Sequence, residues 1–158
     1  MPDGGRCRLL TPADLEVALR LYRDLVGDIP LPAGDTARAR WLDVLSHDGT
    51  TVWGYDSDVG VVAMATLHIL PNMTFDARPY ALVENVVTAT GSQKLGYGRA
   101  VMEHVIETAW QANAYKIMLL TGTELGARGF YEGLGFAGDQ KHGMILRRAP
   151  QRRPLPAI

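Results

Sequence analysis

The residues best suited to chemistry run Gln93-Lys94-Leu95-Gly96-Tyr97-Gly98-Arg99, between a strand-like and a helix-like segment. Gly96 and Gly98 carry no Cβ, so the backbone there can come close to a ligand. The first amides of a following helix have no acceptor inside it and point outward at the positive end of its dipole. Such a turn suits an anion, above all a phosphate. Lys94 and Arg99 can add charge. A dinucleotide fingerprint requires a third glycine where Val101 stands, and the Gly-Lys-Ser/Thr of a P-loop is absent. The spacing alone also fits a glycine-lined turn with no ligand. Just upstream, Glu84 is a carboxylate in an otherwise apolar strand. A half-buried carboxylate has a raised pKa, nearer to what a general base needs.

The elements around these residues follow from periodicity. Arg6–Leu10 reads as a short strand. Thr11-Pro12-Ala13-Asp14 starts a helix, with a cap, a proline at the first position and an acid at the positive end. Leu15, Ala18, Leu19, Tyr22 and Val26 make its buried stripe, and Gly27 ends it. Asp35 caps a second helix reaching about Ser46. Thr51–Tyr55 and Val59–Leu70 read as strands joined by Asp56-Ser57-Asp58, with Gly60 as a bulge position. Alternation puts Val59, Val61, Ala63, Ala65, Leu67 and Ile69 on one face. The next strand is Tyr80–Thr88. A helix follows from about Gly96 to Asn113, with rows Val101, Val105, Ala109, Ala112 and Met102, Ile106, Trp110. Tyr115–Leu120 reads as a strand covered on both faces. Glu124–Leu134 reads as a short helix stopped by Gly135, and His142–Arg147 as a last strand. The order predicts an α/β fold, with parallel crossovers where helices separate strands.

Composition narrows the function classes. The 158 residues fit one domain. Net charge is −1, which argues against a nucleic-acid binder. Cys7 is the only cysteine, so no internal disulfide forms. His47, His68, His104 and His142 make no short metal-ligand spacing, and no metal is expected. No apolar run approaches the roughly 20 residues of a membrane span, and no signal-peptide core follows the N-terminus. The expectation is a cytoplasmic protein with no membrane or nucleic-acid partner. A domain over 1–148 precedes a mobile, Pro- and Arg-rich tail over 149–158.

Gln93-x-x-Gly96-x-Gly98 resembles the Gln/Arg-x-x-Gly-x-Gly/Ala signature of the GNAT N-acetyltransferases. Glu84-Asn85-Val86-Val87-Thr88 looks like the strand before that signature. Ala127-Arg128-Gly129-Phe130-Tyr131-Glu132-Gly133-Leu134-Gly135-Phe136 is similar to the family's later Ala-x-x-Phe-Tyr-x-x-Leu-Gly-Phe block. The blocks agree in order and spacing over roughly Glu84–Phe136. One departure is Glu124, where the family often has asparagine, and that residue's role is not carried over.

The resemblance implies a mixed, mostly antiparallel sheet of six to seven strands, splayed at the cofactor site, with about four helices on both faces. It implies acetyl-CoA as co-substrate, with pantetheine along Val86, Val87 and Thr88 and pyrophosphate on Gln93, Lys94, Leu95, Gly96, Tyr97, Gly98 and Arg99. A backbone amide at Val86 or Val87 would polarise the thioester. Tyr131 matches the family's tyrosine acid, and Glu84 is the best base, direct or through water, with His68 an outside candidate. Asn85, Tyr80 and Arg78 are candidates for the acceptor. Alternation sets Glu84 and Asn85 on opposite faces unless the strand bulges. The activity expected is acetylation of a small-molecule primary amine by direct attack in a ternary complex. Alternatives are a peptide or protein N-acetyltransferase and a catalytically silent acyl-CoA-binding module. A homodimer is a further possibility.

Overall fold

A computed structural model describes residues 4–123 and 126–148. They divide into two compact units, Met1–Leu119 and Leu120–Ile158. Glu124 and the tail 149–158 lie outside the described residues.

The first unit holds a five-stranded sheet in the order β1-β2-β3-β4-β5. Its strands are β1 (Arg6–Leu9), β2 (Thr50–Ser57), β3 (Gly60–Leu70), β4 (Tyr80–Thr88) and β5 (Ile117–Met118). Neighbours are antiparallel except β4 and β5, which are parallel. The helices are α1 (Leu15–Val26), α2 (Gly34–Ser46) and α3 (Tyr97–Gln111), with α4 (Arg128–Glu132) in the second unit. The expected α/β class with a mixed, mostly antiparallel sheet is what forms, with five strands among the described residues rather than six or seven.

β3 is the middle of the core, buried continuously from Val61 to Leu67. On one face α1 and α2 bring Ala18, Leu21 and Trp41 onto Val52, Val61, Met64 and Val87. The other face meets α3, where the Tyr97 ring lies 5.1 Å from Tyr55 and His104 lies 4.3 Å from Trp53. Burial of Ala100, Val101, Met102, Val105 and Ala109 follows the helical period. Trp110, read as buried from that period, is 48% exposed because the row drifts off the sheet at the last turn.

Two bulges revise the alternation read from sequence. In β3, Tyr55 pairs with Ala63 but Asp56 with Val61, so Val62 is an extra residue. Val61 therefore turns to the α1 face instead of sharing a face with Ala63. The hairpin turn itself is Asp58-Val59, held by the Ser57 hydroxyl donating to the Gly60 carbonyl at 2.9 Å. In β4, Glu84 pairs with Thr66 and Val87 with Met64, so Asn85 and Val86 together oppose Ala65. Asn85 has φ +54°, a left-handed conformation that asparagine tolerates better than most residues. Val83 and Val87 end on opposite faces, which strict alternation does not allow.

The start of α1 matches its sequence signals. The Asp14 carboxylate accepts from the Thr11 amide at 2.7 Å and from Arg8 Nη1 and Nη2 at 2.9 and 2.8 Å. Arg8 also reaches Asp56 at 2.7 Å, tying β1 to β2 and to the helix start. The Arg8 hydrogen bonds lower the Asp14 pKa to about 2, with the Thr11 bonds assisting against burial. The folded value lies below the unfolded value near 4, so this stabilisation is complete above about pH 4 and is lost as pH falls through 2. Replacing Asp14 by asparagine is expected to lower stability near pH 6 by on the order of 1–2 kcal/mol. Urea midpoints of variant and wild type should converge near pH 2, and an equal gap at both pH values would contradict the account.

The expected strand Tyr115–Leu120 is reduced to Ile117–Met118. The expected strand His142–Arg147 does not form. Met144, Ile145 and Leu146 are 93%, 56% and 103% exposed, and no ladder takes up their backbone among the described residues. Helix α4 spans Arg128–Glu132, shorter than the expected Glu124–Leu134. Its end is as read from sequence. Phe136 N–H donates to the Tyr131 carbonyl at 3.1 Å and Gly135 N–H to Glu132 at 3.0 Å, with Gly135 at φ +93°.

Candidate active site

β4 and β5 begin as a parallel pair and do not remain one. The Tyr115 amide donates to the Pro79 carbonyl and the Ala81 amide to Lys116, both at 2.9 Å. The ladder then covers Ala81 and Leu82 and stops. From Val83 to Thr88 that edge of β4 has no strand partner among the described residues. The bulge at Asn85 and Val86 explains the divergence, because a bulge bends its strand and increases the local twist. An open edge presents main-chain donors and acceptors to any extended molecule laid beside it.

The open edge leads into the glycine turn. The Ala89 amide makes a last bond to Val62 at 2.8 Å, and Thr90–Ser92 forms one 3-10 turn. Asp24 on α1 fixes that turn by accepting from the Thr90 amide at 3.0 Å. Lys94 and Gly96 take positive φ, +61° and +90°. The Gly96 carbonyl then accepts the first bond of α3 from Ala100 at 3.0 Å. No side chain caps this helix start, so it is built from backbone alone. Gln93, Lys94, Leu95 and Gly96 are exposed, while Tyr97 and Gly98 are half-buried. The Tyr97 ring packs against that of Tyr55, 5.1 Å away. Arg99 is 3.4 Å from Glu103, an exposed pair of the kind that contributes little.

Of the remaining candidates, Val87 is buried, Val86 and Thr88 are half-buried, and Glu84 and Asn85 are exposed. Exposure removes the half-buried setting expected for Glu84. Glu84 faces Thr66, whose hydroxyl is hydrogen-bonded to Tyr22 of α1. Tyr80 is half-buried, with Lys116 Nζ 5.5 Å from its ring centroid. Arg78 donates to the carbonyls of Asn113 and Ala114 at 3.2 Å each, so its charge is spent on the C-terminal end of α3. In the second unit Tyr131 is half-buried, 5.1 Å from the Phe130 ring and 6.1 Å from Phe136. Thr50 and His47 were not singled out by sequence, although the pairing register places Thr50 opposite His68. Among the described residues, no group of three or more His, Cys, Asp or Glu is arranged for a metal ion, and no helix is long and apolar enough to cross a membrane.

The Acetyltransferase (GNAT) family profile matches residues 15–136. A solved structure described as an acetyltransferase from Agrobacterium tumefaciens str. C58 is 41% identical, with a TM-score of 0.85, covering 90% of this chain and 99% of its own. An acetyltransferase of Trypanosoma brucei is 26% identical with a TM-score of 0.77, covering 90% of this chain and 99% of its own. The glucosamine-6-phosphate N-acetyltransferase of Arabidopsis thaliana shares the fold at 16% identity and a TM-score of 0.75, covering 92% and 99%. A comparison with curated protein sequences gave no match. The chain belongs to the GNAT acetyltransferase family, and it is an acyltransferase.

Proposed function

We propose that this enzyme transfers an acetyl group from acetyl-CoA to a primary amine of a small molecule, by direct attack in a ternary complex. The observation that carries the reading is the open β4 edge running into a backbone-lined helix start. An extended pantetheine fits beside Val86, Val87 and Thr88, and a pyrophosphate fits over Gln93–Gly98. Folds shared with glucosamine-6-phosphate N-acetyltransferase and with an aminoglycoside acetyltransferase, meta-AAC0020, favour a small acceptor over a peptide.

In this reading the bulge gives β4 its catalytic use. It frees main chain at Asn85 and Val86 from the ladder, so an amide there can donate to the thioester oxygen. Glu84 holds the acceptor's ammonium and draws its proton, directly or through a water. Holding both reactants on one strand makes attack effectively intramolecular. Tyr131 is the acid for the departing thiolate, a role that rests on its sequence motif. Arg78 is left with its helix end, and Tyr80 with the edge of the acceptor's path.

The first experiment is melting temperature with and without acetyl-CoA, with NAD as control. Ligand at about 100 times its Kd adds roughly 2.7 kcal/mol, a shift of several degrees. Stabilisation by acetyl-CoA alone justifies a panel of small amines and amino-terminal peptides with a thiol-release readout. No shift at millimolar ligand removes the cofactor assignment. Turnover of peptides only would replace the small-molecule acceptor.

A further inference from the structure

Thr50 is a buried polar residue at the start of β2, 8% exposed. Its hydroxyl lies 3.0 Å from His47 Nδ1 and 2.9 Å from His68 Nδ1. The turn that sets this up is rigid. Gly49 has φ +74°, its carbonyl accepts from the Ile69 amide at 2.7 Å, and a Cβ there would strike the Ile69 carbonyl. A hydroxyl has one proton to donate, so it donates to one imidazole while the other donates to it. The two rings therefore hold opposite tautomers. At the outer end His47 is exposed, and His68 is half-buried.

The same register joins this chain to the candidate base. His68 pairs with Leu82, and Thr66 with Glu84. His68, Thr66, Tyr80 and Glu84 consequently share one face of the sheet. Glu84 is a diagonal neighbour of His68, and diagonal neighbours stand ~7–8 Å apart, within reach of long side chains. The titratable and charged groups facing His68 are Glu84 and Tyr80 from β4, Tyr22 from α1 through Thr66, and His47 ahead of β2, with Lys116 above the Tyr80 ring.

Resting on the acetyl-transfer reading, we propose that His68, Thr50 and His47 are the outlet through which the acceptor's proton travels from Glu84 to water. In the ternary complex two reactants crowd Glu84 and displace its own solvent. Glu84, neutralised by the amine's proton, passes a proton through one bridging water to His68 Nε2. His68 gives its Nδ1 proton to the Thr50 oxygen, and the Thr50 hydroxyl proton moves to His47 Nδ1. His47 releases its Nε2 proton to solvent. One proton leaves the amine and one enters water. Both imidazoles end neutral with exchanged tautomers, which exchange of ring protons with water restores. Only N–H and O–H bonds break and form, and nothing is oxidised or reduced. Thr50 acts through its neighbours and is a positioning residue.

The test compares wild type, Thr50→Val and Thr50→Ser for acetylation across the imidazole pH range, beside their melting shifts with acetyl-CoA. Thr50→Val is expected to lose roughly tenfold in kcat while keeping the shift, with serine restoring the rate. Added imidazole buffer should rescue the valine variant. His47→Gln, at an exposed site, should reproduce the loss and carries the test if Thr50→Val does not fold. A wild-type kcat and pH profile in Thr50→Val or His47→Gln overturns the outlet alone. Equal losses in valine and serine variants, with no buffer rescue, also overturn it by marking a packing defect. Acetyl-CoA binding without turnover of any amine by the wild type overturns the acetyl-transfer reading, and the outlet with it.

Discussion

Replacing Gly96 by valine is expected to abolish the melting shift produced by acetyl-CoA, with affinity weakened at least about 100-fold, the equivalent of roughly 2.7 kcal/mol. Two costs act at one atom. Gly96 sits at φ +90°, where a β-branched residue is a genuine outlier. In the proposed cofactor site its backbone is also where a pyrophosphate would come closest to the start of α3, and no side chain caps that start to substitute for the lost approach. Gly91 is the control. It lies a few residues earlier in the same connection, and a Cβ there meets nothing within 4 Å. Gly91→Ala should bind as the wild type does. The melting temperature without ligand separates a folding defect from a binding defect. A Gly96→Val protein that keeps the full shift would show that the glycine turn is not the phosphate site.

The sequence carries the elements of this fold more faithfully than their registers. Tyr80–Thr88 is bounded as its valine-rich pattern reads, because a strand buried on one face and flanked by turn residues has few other states. The capping signals at Thr11-Pro12-Asp14 and the Gly135 stop are local, so they survive translation into three dimensions. Bulges are not local. Whether Val62 or Asn85 is the extra residue depends on the partner strand, and the same alternation fits either register. That is why alternation puts Val61 on the wrong face. It is also why the condition under which Glu84 and Asn85 escape strict alternation could be stated but not decided. The strand expected at His142–Arg147 does not form, because a short apolar run without a ladder partner does not become a strand. Arg78 looked available because a sequence cannot show that a helix end 35 residues away takes its guanidinium. The His47–Thr50–His68 chain needs both a turn geometry and a strand register, neither of which His68 announces.

Replacing Glu84 by glutamine is expected to lower kcat by roughly 10²–10³, the usual range for losing a general base, without altering the acetyl-CoA melting shift. The amide keeps the shape and hydrogen-bonding reach of the carboxylate and cannot accept the proton. Glu84 is exposed on the face shared with Thr66 and Tyr80, apart from the glycine turn proposed for the cofactor, so cofactor binding should be indifferent to the change. The split between constants decides the role. A group that only attracts the ammonium raises KM and leaves kcat, whereas a proton acceptor acts on kcat. Raising pH supplies deprotonated amine from solution, so the variant's deficit should narrow toward the amine's own pKa. Combining Glu84→Gln with Thr50→Val tests the two proposals against each other. If the proton passes from Glu84 to the histidine chain, the second substitution should cost little once the first has been made, because groups acting in series are not additive. Multiplied losses would mean that Thr50 serves something other than the proton leaving Glu84. An unchanged kcat in Glu84→Gln alone would remove the carboxylate from the reaction and leave His68 as the group on that face able to take the proton.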